Sequence, residues 1–286
     1  MTKVKKKADA GVTGVKETKR GSELLENIIS AAYGAGEIMV NASPHDEDVM
    51  AKGGRANYVT VYDEKVQEFL LKELSRILPE AHFVGEEEGQ EIFLPEYGKG
   101  FTFVVDPIDG TSNFMRDYEL SVTSIALLED GRPYIGVIYN PYSDRIFYAE
   151  KGCGAFENGR QIFTSPDPLS HSLVSMGTAP YYADEITHSA FEIGNWYLKR
   201  SIDIRRSGSA AWDLCLIASG RTGLFSEPLL CLWDYAAGAC ILEEAGGTIT
   251  DMHGEILAYR GKSSILAVTA GVARENYLPP AELMRG

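Results

Sequence analysis

The sequence predicts a mixed α and β protein whose two lobes divide near residue 150, and three features of its hydrophobic pattern carry that prediction. Apolar residues recur at helical spacing in two segments between residues 22 and 78. Short apolar and alternating runs replace them between 81 and 149, and beyond Gly152 strand-like and helix-like segments intermingle. With 286 residues the chain is long enough for one large domain or two intimate ones with a substantial core.

The elements follow in order. Residues 1–21 read as a disordered basic tail, with Lys3, Lys5, Lys6, Lys7, Lys16, Lys19 and Arg20 against only Asp9 and Glu17. Ser22 is a natural N-cap for a helix carrying Leu24, Leu25, Ile28, Ile29 and Ala32 on its apolar side. Residues 41–57 break the pattern and predict a mobile loop with a Gly53-Gly54 hinge. A second helix presents Val66, Phe69, Leu70, Leu74 and Ile77, and Pro79 ends it. Ala81–Val84 and Phe101–Val105 read as buried strands. Leu120–Leu128, Pro133–Tyr139 and Arg145–Ala149 read as a meander turning at Asp130-Gly131 and Asn140-Pro141. The second lobe, 151–286, holds predicted strands at Ser172–Gly177, Ser201–Arg205, Thr248–Thr250 and Ser264–Val268. Its predicted helices are Asp184–Leu198, Ser209–Ser219 and Trp233–Ala245.

Composition narrows the function. The net charge is −14, and beyond residue 20 the chain holds 20 basic against 39 acidic side chains, which repels nucleic acid and anionic membrane. It repels phosphate esters too, unless bound cations reverse the sign locally. No apolar run reaches the ~20 residues of a membrane span, and no apolar stretch follows the basic start as in a secretory signal, so the expected location is the cytoplasm. Cys153, Cys215, Cys231 and Cys240 form no CxxC pair and read as reduced thiols; the five histidines lack an HxxxH arrangement, which argues against zinc.

Four acidic segments carry the candidate chemistry. Asp106-Pro107-Ile108-Asp109-Gly110-Thr111 directly follows a strand, which delivers Asp106 to the carboxyl end of the sheet. Asp109 is expected after one tight turn, so that two carboxylates can share cations with the Ile108 carbonyl between them. Gly110 leaves room for a phosphate to approach the backbone, and the Gly110 and Thr111 amides can face it. Taken alone, the segment reads equally well as an Asp-rich turn that caps itself. Gly85-Glu86-Glu87-Glu88 follows another strand, where three adjacent acids ordinarily form a solvated run. In Trp233-Asp234-Tyr235-Ala236-Ala237-Gly238, Asp234 opens a helix, and in Val59-Thr60-Val61-Tyr62-Asp63, Asp63 does the same; either can be a simple capping acid.

In this order and spacing the segments resemble the inositol monophosphatase family, within the wider group of lithium-sensitive, magnesium-dependent phosphatases. The GEE, DPIDGTxNF and WDxAAG patterns stand as Gly85–Glu87, Asp106–Phe114 and Trp233–Gly238, with V-T-x-x-D at Val59–Asp63, and the resemblance runs from about residue 22 to the C-terminus. It implies an α+β fold, a layered αβαβα sandwich, and a set of roles. Glu86, Asp106 and the carbonyl of Ile108 would hold one magnesium ion; Asp106, Asp109 and Asp234 a second; Glu86 and Glu87 a weaker third through waters. Asp63 and Thr111 would orient and deprotonate the attacking water, with Glu86 also in the catalytic set and Lys52 near the third ion. Gly208, Ser209, Ala210 and Glu227 would grip substrate hydroxyls, while Asp109, Gly110, Thr111 and Asp234 border the substrate. The implied partners are a small phosphorylated polyol or sugar and a second copy of the chain, with neither nucleic acid nor membrane.

The chemistry supports this reading. All-oxygen ligation suits magnesium above zinc. Phosphate monoesters hydrolyse so slowly unaided that a paired-cation site, with ions ~3.5–4 Å apart, is a fitting catalyst. It also resolves the charge conflict, and no Cys or His is placed for a covalent phosphoenzyme. Ser112 replaces the more usual threonine, Ser209 keeps a hydroxyl, and Tyr235 is a bulky choice that faces either the substrate or the core. Rival substrates for the same site are fructose-1,6-bisphosphate, 3′-phosphoadenosine-5′-phosphate, NADP and histidinol phosphate. A second phosphate would call for cations such as Arg205 and Arg206, which otherwise read as a solvated strand end. The reading from another class is a non-catalytic scaffold that binds transcription machinery.

Overall fold

In the computed structural model, residues 22–42, 49–51, 58–87, 99–180 and 182–284 are described. The predicted tail, and most of the loop predicted at 41–57 with its Gly53-Gly54 hinge, lie outside them. Part of that loop is strand: β1 (Val49–Ala51) pairs antiparallel with β2 (Tyr58–Thr60).

Helix α1 (Glu23–Val40) starts at Ser22, whose Oγ accepts the Leu25 N–H, and it buries Leu25, Ile28, Ala32, Ala35 and Met39. Helix α2 (Val61–Ile77) starts at Thr60 and buries Val66, Leu70 and Leu74. Leu24, Ile29, Phe69 and Ile77, also predicted on these faces, are partly buried flanks of the same core.

Both helices pack on one face of a sheet formed by β3 (His82–Gly85), β4 (Phe101–Asp109), β5 (Val122–Glu129), β6 (Arg132–Asn140), β7 (Arg145–Glu150), β8 (Gly154–Glu157) and β9 (Arg160–Ile162), in that spatial order. Only β3 and β4 are parallel. The short helix α3 (Thr111–Phe114) leaves β4 through Gly110. The last two strands lie beyond residue 150, so the first sheet runs through Ile162. Their turn, Asn158-Gly159 with both residues at positive φ, is the favoured two-residue hairpin signal.

The second sheet has the order β11 (Asp203–Arg205), β10 (Leu173–Met176), β12 (Leu224–Cys231), β14 (Lys262–Val268) and β13 (Thr248–Thr250). Strand β10 runs parallel to β11 and β12, and β14 runs antiparallel to β12 and β13. Strand β12 escaped the sequence pattern because Ser226, Glu227 and Pro228 interrupt its apolar run. The ladder to β14 slips between Glu227 and Leu230, as a strand proline requires.

Helix α4 (Asp184–Leu198) covers the outer face of this sheet through Ile193 and Tyr197. Helices α5 (Ala210–Ala218) and α6 (Leu232–Glu244) lie between the two sheets in one continuous core. The layers are therefore α1/α2, first sheet, α5/α6, second sheet, α4: the αβαβα sandwich that the sequence implied. Alternation along β4 serves both sides of the first sheet, with Phe103 and Val105 toward α1 and α2 and Val104 toward α6.

Helix α6 sits directly on β6. A Cβ on Gly136 would stand 2.4 Å from the Ala237 carbonyl oxygen and 3.0 Å from the Cys240 Cβ. Both neighbours belong to the rigid layer, so Gly136→Ala is expected to cost about 1–3 kcal/mol through overpacking. A fall in denaturation midpoint at unchanged m-value, measured in urea, checks it.

Candidate active site

The site begins with a bulge. The β4–β5 ladder slips between Asp106 and Asp109, so the predicted tight turn after Val105 is instead a strand that continues, distorted, to Asp109. Pro107 has no N–H to give to the ladder, and the Ile108 N–H turns to Asp106 Oδ1 at 3.1 Å. Thr123 Oγ1 ties down the Pro107 carbonyl at 3.0 Å. Ile108 is fully buried in the cavity wall, and its carbonyl oxygen stands 3.3 Å from the Thr111 hydroxyl.

Neighbouring elements bring the other acids to this bulge. Gly85 pairs with Val105 across β3 and β4, and the Glu86 N–H donates to the Val105 carbonyl at 3.1 Å, which sets Glu86 beside Asp106. Asp234 lies in the first turn of α6, where its Oδ2 accepts the Cys231 N–H at 2.6 Å. Asp63, in the first turn of α2, accepts the Thr60 N–H and hydroxyl on Oδ2 at 2.7 and 2.6 Å. Its Oδ1 faces the Thr111 hydroxyl at 3.3 Å. Asp109 Oδ2 accepts the Ser209 hydroxyl and the Ala211 N–H, both at 2.7 Å.

These groups surround a cavity of about 410 Å³. Of the predicted residues, Glu86, Asp106, Ile108, Asp109, Gly110, Thr111, Gly208, Ser209, Ala210, Glu227 and Asp234 line it. Asp63 stands behind Thr111. Glu87 does not line the cavity; its N–H is bound by Gln67 Oε1 at 3.1 Å. Lys52 lies outside the described residues. Tyr235 is fully buried against Tyr259 and belongs to the core.

The sequence reading missed several wall residues. Arg205 is the solvated strand end, paired with Asp203, but Arg206 faces the cavity and donates Nε to Thr178 Oγ1 at 3.1 Å. Lys262 and Asp213 line it as well. Gly177 is required by Glu227, whose carboxyl carbon stands 2.0 Å from where a Gly177 Cβ would be. Cys231 is no nucleophile: burial and the adjacent Asp234 push its thiol up to about 12.

Electrostatically the site is under load. Burial, and then the charges of Glu86, Asp109 and Asp234, hold the Asp106 carboxyl well above its ordinary 3.8. Burial raises Asp109 to about 6 against the lowering effect of its Ser209 and Ala211 hydrogen bonds. Asp234 is also well above the usual range, through burial and then Asp109 and Glu86. Glu227 rises to about 8, chiefly through burial. Among the described residues, no salt bridge relieves Asp106, Asp109 or Asp234.

A bound cation would relieve it, and an all-oxygen donor set suits a hard one. Among the described residues, no three acidic, histidine or cysteine side chains converge on one point as a finished ion cage. One oxygen each of Asp63, Asp109 and Asp234 is held by local donors, which fixes where each carboxyl stands.

The model of the Inositol monophosphatase family matches residues 21–282. The chain belongs to this family. It is 33% identical over 229 residues to the Nus factor SuhB of Xylella fastidiosa, covering 79% of this chain and 81% of that one. Inositol monophosphatase 2 of Saccharomyces cerevisiae is 35% identical over 205 residues, 68% and 70% of the two chains. The inositol monophosphate bound structure of the staphylococcal SaIMPase-II superposes with a TM-score of 0.76 at 27% identity, covering 91% of this chain and 95% of that one. Membership makes the chain a phosphatase, a hydrolase of phosphorylated small molecules. No described helix is long and apolar enough to cross a membrane.

The raised carboxyls give a signed expectation. The metal-free fold holds protons that the unfolded chain, with carboxyls near 3.8, has already released, so its stability falls as pH rises through about 6. A cation that neutralises the cluster cancels this loss. The melting-temperature gain on adding magnesium to chelator-treated protein is thus expected to be larger at pH 8 than at pH 5.5, and thermal unfolding at both pH values checks it.

Proposed function

We propose that the protein hydrolyses the phosphate monoester of a small polyol or sugar, inositol-1-phosphate foremost, by direct attack of water in a magnesium-loaded site. The observation that carries this reading is the Asp63–Thr111 pair set beside the buried carboxylates of the β4 bulge. Magnesium, when bound, supplies positive charge that offsets the carboxylates and polarises the phosphoryl oxygens. Glu86, Asp106, the Ile108 carbonyl, Asp109 and Asp234 would hold two ions, with Glu87 helping to place a weaker third.

The chain's own groups do the rest. When the Thr111 hydroxyl donates to Asp63 Oδ1, its lone pairs face outward to accept a hydrogen from a water molecule and aim that water's oxygen. The proton released on attack has a path through Thr111 to Asp63, whose Oδ2 is already saturated by Thr60 and whose position is therefore fixed. Gly110, at φ 93° and ψ 43°, carries no side chain where the phosphate would approach the backbone. Glu227 and the Gly208–Ala210 segment form the wall that substrate hydroxyls would meet.

Phosphate release with and without magnesium, across inositol-1-phosphate, fructose-1,6-bisphosphate, 3′-phosphoadenosine-5′-phosphate and NADP, tests the reading and ranks the substrates. Silence across the panel from protein that binds magnesium would overturn it and leave the scaffold role. Asp109→Asn is expected to lower kcat by about 10²-fold or more. Because it removes a buried like charge, the same variant should melt higher than wild type in chelator. Thr111→Ala is expected to lower kcat by about 10²-fold with substrate KM little changed, a split read from steady-state kinetics.

A further inference from the structure

We propose that Asp213 is a positioning residue for the Asp109 carboxylate, acting through Ser207 and the Gly208–Ser209 turn; the proposal rests on the reading of Asp109 as part of a magnesium site.

Asp213 lies in the first turn of α5 and is 2% exposed. Among the described residues it has no ion pair, and its Oδ1 is buried without a well-formed hydrogen bond. A buried acid left this way costs the fold stability, so its place in the cavity wall calls for another account.

Its other oxygen supplies one. Asp213 Oδ2 accepts the Ser207 hydroxyl at 2.7 Å. That hydroxyl has a single proton and a second acceptor within reach, the Ser209 carbonyl at 2.9 Å. A carboxyl group held at the shorter distance is the stronger claimant. With the proton so directed, Ser207 Oγ turns a lone pair to the Ser209 N–H at 3.0 Å. From the other side, Asn113 Nδ2 holds the Ser207 carbonyl at 2.9 Å. The turn between is left-handed at Gly208, φ 84°, where a Cβ would press on the Asn113 amide at 3.2 Å.

This gripped turn leads into the donors that hold Asp109 Oδ2. Ser209 Oγ and the Ala211 N–H meet on the one oxygen Oδ2, each at 2.7 Å. The orientation of the Asp109 carboxyl is thus set by a turn whose shape Ser207 and Asp213 determine. Without Asp213 the Ser207 proton passes to the Ser209 carbonyl, the turn loses its inner anchor, and Asp109 gains freedom to rotate. Displacements of the order of 1 Å at a reacting centre are enough to cost catalysis about 10²-fold.

The role needs an acceptor at the Oδ2 position and no negative charge. An asparagine there can accept from Ser207 with its oxygen, while its NH₂ meets the buried Ser175 hydroxyl, the neighbour that bears on Asp213 across β10 and that itself lacks a well-formed bond. Asp213→Asn should therefore preserve function, whereas Asp213→Ala and Ser207→Ala should not.

The test compares wild type with Asp213→Asn, Asp213→Ala and Ser207→Ala, all verified as folded by far-ultraviolet circular dichroism. Two readouts are taken: the magnesium concentration giving half the maximal rise in melting temperature of chelator-treated protein, and kcat and KM for phosphate release. Asp213→Ala and Ser207→Ala are expected to raise the magnesium midpoint and to lower kcat, each by about 10–100-fold, with KM within a few-fold. Asp213→Asn is expected to stay within about twofold of wild type on both. If Asp213→Ala does not fold, Ser207→Ala, which removes one oxygen, decides alone. Wild-type magnesium midpoints in the Ala variants, or equal losses in Asp213→Asn and Asp213→Ala, would overturn the proposal. A wild type that binds magnesium but releases no phosphate from any substrate counts against the proposed activity alone, and the magnesium midpoints still judge Asp213.

Discussion

Mutual repulsion among Glu86, Asp106, Asp109 and Asp234 is the constraint around which the molecule is arranged. Two like charges 4 Å apart at a protein's effective dielectric oppose each other by about 4 kcal/mol, and burial adds to that cost. Left on flexible segments these carboxylates would separate. They are held instead by backbone that cannot easily yield: parallel β3–β4 pairing for Glu86 and Asp106, the β4 bulge for Asp109, and the first turn of α6 for Asp234. Helix α6 is in turn seated on Gly136 of β6, so the position of Asp234 is set by the contact of α6 with the first sheet. The same repulsion would be relieved by a bound cation, which would also offset the negative field that an anionic substrate meets.

Two of the site acids also serve the fold. Asp63 and Asp234 each occupy the third position of a helix and accept the N–H of the residue before it, and at Asp63 this completes a capping box with Thr60. From sequence, capping and catalysis look like competing explanations for an acid at a helix start. In this structure they are compatible, because a carboxylate has two oxygens: Asp63 gives Oδ2 to Thr60 and Oδ1 to Thr111. The helix start fixes the side chain and leaves its second oxygen turned to Thr111.

The helices and most strands were legible because long apolar periods survive as patterns in one dimension, whereas the layer order and the gathering of the acids came only from the resemblance of four short segments to a known family. The helix over 184–198 is found with its predicted limits, and the helix predicted at 233–245 lies within one residue of its own. What stayed hidden depended on contacts between distant segments. Strand β12 carries a proline and a glutamate that look wrong for an inner strand, yet its ladder slips at that point and Glu227 lines the cavity. The bulge at Pro107 was read as a turn because a missing N–H signals either. Arg206 and Arg205 are adjacent and chemically alike, and their partners separate them: Asp203 for Arg205 and Thr178 for Arg206. Asp213 had no motif to mark it, since its partners Ser207 and Ser175 are ordinary serines until α5 and β10 bring them together.

Helix starts explain how the cluster is tolerated before any cation arrives. Asp63, Asp109 and Asp234 each accept a backbone N–H from the N-terminal end of a different helix: Thr60 at α2, Ala211 at α5 and Cys231 at α6. These ends carry the positive pole of the helix dipole and unpaired N–H groups, so each offsets part of one negative charge. The compensation is incomplete, as the raised Asp109 and Asp234 carboxyls show. Fuller compensation, by arginines for example, would fill the cavity and leave no demand for a cation. Weaker compensation would let the chain relax away from the bulge. Helix ends fall between these limits, because they are rigid, occupy no room in the cavity, and stay in place whether the carboxylates hold protons or metal.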